Sequence, residues 1–174
     1  MPPEFDIQLD GGWASRYFVT NPVSKTAELT DPLVMLSTLP LLWLADEREL
    51  DAKGRIGGFI IPDTVSNVHN RPKETSLPVR LLEKAFRQGA PLLVLAPEFG
   101  PDALETMVIN KLRGIILVCA VKLRNPDKQA LEALATRLGI VPFQQWESAD
   151  ADFSRVLGRC SKVVCHEDSC CIRL

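Results

Sequence analysis

Between Pro91 and Lys122 the chain reads Pro91-Leu92-Leu93-Val94-Leu95-Ala96-Pro97-Glu98, then Asp102 through Gly114, then Ile115-Ile116-Leu117-Val118-Cys119-Ala120-Val121-Lys122. The outer two runs are short and apolar without polar alternation, the pattern of parallel strands covered on both faces. Parallel neighbours need a crossover, and the stretch from Asp102 to Leu112 supplies a helix for it. On a wheel of about 100° per residue, Ala103, Leu104, Met107, Val108, Ile109 and Leu112 cover roughly two-thirds of that helix, more than docking on a sheet requires. The excess predicts that part of the helix meets a further layer or a partner.

The rest of the chain extends this βαβ unit. Pro78 to Gln88 is predicted as a helix, with Pro in its first turn and Gly89 at its end. Pro126 and Asp127 start another, which runs to Leu138 and is closed by Gly139. Ile140 to Phe143 is expected to be a further strand, and a short charged helix is expected near Ala151 to Leu157. Residues 4 to 36 carry turn signals at Asp10-Gly11-Gly12, Asn21-Pro22 and Asp31-Pro32. Around them Tyr17-Phe18-Val19, Ala27-Glu28-Leu29 and Leu33-Val34-Met35-Leu36 read as short antiparallel strands. Lys162 to Cys165 and Cys170 to Ile172 form the arms of a hairpin through His166-Glu167-Asp168-Ser169. The expectation is a single α/β domain with a mostly parallel sheet flanked by helices, and antiparallel strands at both ends.

Residues 37 to 76 fit this plan least. Leu39 to Leu44 is apolar, Asp46 to Arg55 is densely charged, Ile56 to Ile61 resembles a strand interrupted by Gly57-Gly58, and Asp63 to Ser76 reads as a long polar loop. Loops of that length in a compact domain usually carry function or move.

Several chemistries lack support. A net charge of −2 with scattered Lys and Arg gives no basic stripe for nucleic acid. No apolar run approaches the roughly 20 residues that span a bilayer, and the first residues carry neither a secretory leader nor an Arg-rich presequence. The expectation is a soluble intracellular chain, or a segment whose targeting signal has been removed. Gly11-Gly12 and Gly57-Gly58 do not fall in a phosphate-binding loop. His69 and His166 lack a nucleophile context, and Asp46, Glu47, Glu49 and Asp51 fit no calcium loop. An enzyme is not expected, nor is a cofactor.

The five cysteines are Cys119, Cys160, Cys165, Cys170 and Cys171, an odd number without a C-x-x-C pair. Reduced thiols in a reducing compartment follow. Cys165, His166, Cys170 and Cys171 are the one cluster with zinc chemistry, but the hairpin explains their spacing better. In that hairpin Cys165 and Cys170 become cross-strand neighbours able to pair under oxidation.

With these residues in view, the chain resembles the apical domain of a group I chaperonin, the GroEL and mitochondrial Hsp60 family. Tyr17-Phe18-Val19-Thr20-Asn21-Pro22, Ala27-Glu28-Leu29 and Asp31-Pro32 are similar to the opening of that domain. Pro91 to Ala96, Ala103-Leu104, Thr106 to Gly114 and Val118-Cys119-Ala120-Val121-Lys122 resemble its central signature. Leu157-Gly158, Lys162-Val163-Val164 and Cys171-Ile172 look like the strands that close it.

The resemblance implies a three-layer apical-like fold. It also implies an apolar groove of two parallel helices that captures unfolded polypeptide, or apolar peptide segments such as the cochaperonin loop. Carried over by position, Val79, Leu82, Glu83 and Phe86 face the groove from the first helix. Leu104, Val108, Ile109 and Asn110 face it from the second, with Trp13, Tyr17 and Phe18 nearby.

The departures are specific. The ATP-binding domain of the family has no counterpart in these residues, so no ATPase is expected. The segment before Val79 is longer than the family's and would cover, extend or replace part of the groove. Leu123 to Asp127 replaces a Gly-rich segment, Phe86 is bulkier than usual, and Glu105 adds a charge beside the second helix. A second reading is a stand-alone structural subunit of a larger organellar assembly, its groove and insertion serving as fixed interfaces with neighbouring subunits. Mitochondrial matrix or plastid stroma is expected ahead of bacterial cytoplasm.

Overall fold

A computed structural model describes residues 4–38, 40–41, 55–56, 59–60, 77–142 and 155–174. In chain order the described strands are β1 (Ile7–Trp13), β2 (Ala27–Thr30), β3 (Leu33–Leu36), β4 (Arg55–Ile56), β5 (Phe59–Ile60), β6 (Leu92–Ala96), β7 (Val118–Leu123), β8 (Leu157–Arg159), β9 (Lys162–Cys165) and β10 (Ser169–Arg173). The helices are α1 (Leu77–Arg87), α2 (Pro101–Leu112) and α3 (Lys128–Leu138).

The βαβ unit forms as its residues predict. β6 and β7 pair in parallel from Leu92↔Val118 to Ala96↔Lys122, and β3 joins β6 in parallel on its other side. Every residue of β3 and β6 is buried, which requires cover on both sheet faces. The steps β3 to β6 and β6 to β7 move in the same direction across the sheet, so right-handed crossovers put α1 and α2 on one face. α3 covers the other. Its end packs on β8, where Leu138 and Ile140 crowd Gly158, and its other side closes a cleft over β1.

The main sheet has eight strands in the order β2-β9-β10-β1-β7-β6-β3-β8. Only the β3–β6 and β6–β7 pairs are parallel; the other five neighbours are antiparallel, so the expected mostly parallel sheet is corrected to a mixed, mainly antiparallel one. The reason lies in β1. Its first half pairs with β10 and its second half with β7, splicing the hairpin half of the sheet onto the βαβ half. Asp10-Gly11-Gly12 is therefore mid-strand rather than a turn. A Cβ on Gly12 would collide with the backbone of His166 and Glu167, and one on Gly11 with Lys122. Glycine is what allows the neighbouring chains to approach so closely there.

Other expectations shift for local reasons. Arg16–Phe18 is a 3-10 turn, not a strand: the Ser15 hydroxyl accepts from the Tyr17 N–H at 3.3 Å, and Phe18 turns fully into the core. β3 is a parallel strand, whereas antiparallel pairing was expected; it takes an antiparallel partner on its far edge, β8. Ile140–Pro142 makes no ladder; Val141 N–H reaches only the Arg155 carbonyl, and Pro142 has no donor to offer. Leu157 opens β8 instead of ending a charged helix. Phe143 and Ala151 to Ser154 lie outside the described residues, as does Asp63 to Ser76. Where one strand is expected over Ile56 to Ile61, Arg55–Ile56 and Phe59–Ile60 are two short strands paired antiparallel.

Both predicted helix stops and the predicted hairpin are present. Asp127 caps α3, accepting from the Ala130 N–H at 2.7 Å, and Gly139 closes it in the left-handed conformation. β9 and β10 pair from Cys165↔Cys170 to Lys162↔Arg173.

Candidate functional site

α2 is built with its apolar surface turned partly the wrong way for a core helix. Its inward stripe is Ala103, Thr106, Met107 and Asn110, at spacings of three and four residues, and all four are buried. Two of them are polar. Asn110 Nδ2–H donates to the Thr106 carbonyl at 2.8 Å, and the Asn110 carbonyl accepts from Ile115 N–H at 3.0 Å as the helix ends. Through this stripe α2 packs on β7.

The branched apolar residues are displaced outward. Leu104, Val108 and Ile109 are half-buried, Leu104 and Val108 resting against the edge of the core, and Leu112 is 58% exposed. Leu104, Val108 and Leu112 fall at i, i+4 and i+8, a single ridge along the helix. Glu105 is exposed beside this ridge.

Two other elements adjoin α2. The 3-10 turn contacts it, and Lys111 Nζ donates to the Val19 carbonyl at 3.0 Å, which fixes the turn beside the last turn of the helix. Tyr17 is 48% exposed there, with the Arg16 guanidinium 5.4 Å from its ring centre. Strand β5 also contacts α2. Trp13 is half-buried, its indole N–H donating to the Lys25 carbonyl.

The remaining predicted residues divide by burial. Phe18, Leu82 and Asn110 are fully buried, so they support the surface from beneath and cannot touch a partner without rearrangement. On α1, Glu83 is half-buried in an ion pair with Arg87, and Phe86 is 46% exposed. The Val79 side chain lies outside the described residues. The structure therefore gathers Leu104, Val108, Ile109 and the turn carrying Tyr17 around α2. Leu112, which belongs to the excess apolar arc but not to the residues carried over by the resemblance, completes the ridge; its place four residues after Val108 is the signal for it.

The polar chemistry elsewhere is modest. Among the described residues no group of three or more His, Cys, Asp and Glu side chains is placed to hold a metal. His166 lies in a polar cleft of about 370 Å³ with Trp13, Lys25, Arg124, Glu167 and Asp168. A second cleft, about 350 Å³, opens between β1 and α3. Lys122 Nζ sits 2.7 Å from Glu98, and that hydrogen bond holds the Glu98 carboxyl below the usual range. Burial pushes the Cys160 thiol up to about 12 from 9.0. His69 and the acidic run at Asp46, Glu47, Glu49 and Asp51 lie outside the described residues. No described helix is long and apolar enough to cross a membrane.

Comparison with known proteins gives one consistent result. The chain is 30% identical over 168 residues to the mitochondrial chaperonin CPN60-like 1 of Arabidopsis thaliana, covering 93% of this chain and 23% of that protein. It is likewise 30% identical over 167 residues to the mitochondrial chaperonin CPN60-2 of Zea mays, covering 93% of this chain and 24% of that one. No family model matches the chain. The chain is thus related in sequence to mitochondrial chaperonins over nearly its whole length and spans about a quarter of theirs.

Proposed function

We propose that this chain is a chaperonin-like apical domain whose α2 ridge captures apolar segments of non-native polypeptides, without an ATPase of its own. The observation that carries the reading is the orientation of α2: polar Thr106 and Asn110 face inward while Leu104, Val108, Ile109 and Leu112 lie partly or largely in solvent. A helix that leaves its branched apolar side chains outside marks a surface for a partner, and an apolar ridge beside an aromatic turn suits amphipathic or extended segments. The sequence relationship to chaperonins supports the same reading, and a mitochondrial or plastid location belongs to it.

Capture on such a ridge is weak and reversible. Burying about 200 to 400 Å² of client apolar surface offers several kcal/mol at about 25 cal/mol per Å², before the cost of ordering the client. Several copies presented together would raise the apparent affinity steeply. The test is binding of a denatured, fluorescently labelled client to the wild type and to Leu104→Ser with Val108→Ser. Capture by the wild type and its loss in the double variant, with the fold intact by circular dichroism, is the expected result. No capture by the wild type, or equal capture by both, rules the reading out.

A second reading rests on a separate observation, the contact of β5 with α2. It takes the inserted segment and the ridge as a fixed interface within a larger organellar assembly. That reading predicts a stoichiometric partner retained through native purification, with a fixed native mass.

A further inference from the structure

We propose that Cys165 and Cys170 form a dithiol that closes to an intrachain disulfide under oxidising conditions and staples β9 to β10. The two residues face each other directly across the hairpin, and their sulfurs lie 2.6 Å apart, both as free thiols. The neighbouring pair is hydrogen-bonded, His166 N–H to the Ser169 carbonyl at 2.7 Å. By the alternation of an antiparallel ladder, Cys165 and Cys170 then occupy a non-hydrogen-bonded site, where the Cα atoms stand about 4.5 Å apart. That separation is inside the range a disulfide spans. The site cannot drift out of register, because Cys165 is also paired with Ala27 of β2 and Cys170 with Leu9 of β1.

The other thiols are placed less well. Cys119 reaches Cys165 from β7, but β1 and β10 separate its strand from β9 and no backbone pairing holds it there. Cys171 alternates to the opposite face from Cys170. Cys160 precedes the hairpin and pairs with neither strand.

The oxidant class is a small-molecule disulfide such as glutathione disulfide. One cysteine thiolate attacks it, forming a mixed disulfide and releasing one glutathione thiolate. The second cysteine thiolate then attacks the protein sulfur of that mixed disulfide and expels the second glutathione thiolate. The two protons lost by the cysteines end on the two glutathione molecules, so one disulfide is reduced as one is formed. Both protein sulfurs are fully buried, so the exchange runs while the hairpin is open, during folding or on local opening, and slowly in the closed native chain.

The experiment unfolds the reduced chain in urea and refolds it in a glutathione redox buffer, with acid quenching and alkylation. The expected product is lighter than the reduced chain by about 2 Da. Its alkylatable thiols fall from five to three, its peptide map joins Cys165 to Cys170, and its Tm exceeds that of the reduced chain until dithiothreitol is added. The triple variant Cys119→Ala, Cys160→Ala, Cys171→Ala should close in the same way; should it fail to fold, the wild-type peptide map decides. Five thiols persisting, arrest at a mixed glutathione disulfide, or a dominant link to Cys119, Cys160 or Cys171 would overturn the assignment.

Discussion

α2 and α3 are of similar length and cover opposite faces of one sheet, yet they are built on opposite principles. α3 buries Leu131, Leu134, Ala135 and Leu138 and turns Lys128, Glu132 and Arg137 to solvent. Its two ends are closed by Asp127 and Gly139. α2 buries two polar residues among small or flexible ones and leaves a leucine-valine-leucine ridge at its margin. A helix that served only the core would resemble α3. The contrast separates a helix built to hold the sheet from one whose surplus apolar surface is available to something else.

The contrast can be sharpened by substitution. The largest effect belongs to α3: Leu134→Ala removes a buried side chain and should cost about 2 to 4 kcal/mol. Chemical denaturation should show it, with client capture unchanged for the fraction that remains folded. Next is Asn110→Ala on the inward face of α2. It deletes a buried hydrogen bond to the Thr106 carbonyl and should cost about 1 to 3 kcal/mol, again without changing the intrinsic affinity for a client.

Raising the pH tests the shared sheet rather than either helix. The Cys160 thiol is held up to about 12 in the fold, against 9.0 when unburied. Its folded pKa lies above the unfolded one, so the stability it confers is complete below about pH 9 and declines as pH rises toward 12. At pH 10 the loss from this thiol should be about 1 kcal/mol, and Cys160→Ala should remove that share of the decline, leaving the part due to Cys165 and Cys171, whose thiols burial also pushes up. The smallest effect on stability is expected of Leu112→Ser, below about 0.5 kcal/mol because the side chain is mostly exposed. The same change should weaken client capture measurably. If Leu112→Ser destabilised the fold as strongly as Leu134→Ala, the two helices would not differ in the way proposed.

Much of this architecture was legible in the sequence, for physical reasons that differ by element. The apolar runs at Leu92–Ala96 and Val118–Leu123 announce strands covered on both faces. Asp127 and Gly139 mark the ends of α3 because capping is local chemistry. The hairpin at Lys162–Arg173 follows from two β-prone arms around a polar turn. What escaped depends on distant partners. Gly11-Gly12 looks like a turn until β1 is seen threading between β10 and β7. Leu33–Leu36 does not reveal whether its partner runs parallel. Tyr17-Phe18-Val19 has strand-forming residues, but the Ser15 cap and the burial of Phe18 curl it into a 3-10 turn.

The candidate site shows the same limit at finer scale. The excess apolar arc of α2 was evident, but the wheel could not say which part of it faces inward. The family resemblance, carried over by position, puts Asn110 on the binding face, where the structure buries it, and does not carry over Leu112, which the apolar arc includes and the structure exposes. Phe18 and Leu82, likewise expected at the surface, proved to be supports beneath it.

The central claim is that α2, and not α3, is the surface that meets a non-native chain. The most direct test places a photo-crosslinking residue at Leu112 on α2 and, separately, at the exposed Gln129 on α3, then irradiates each with a denatured labelled client. Crosslinking at position 112, little at position 129, and competition by unlabelled denatured chain but not by native protein is the predicted result. Equal crosslinking at both positions, or crosslinking confined to position 129, would contradict it.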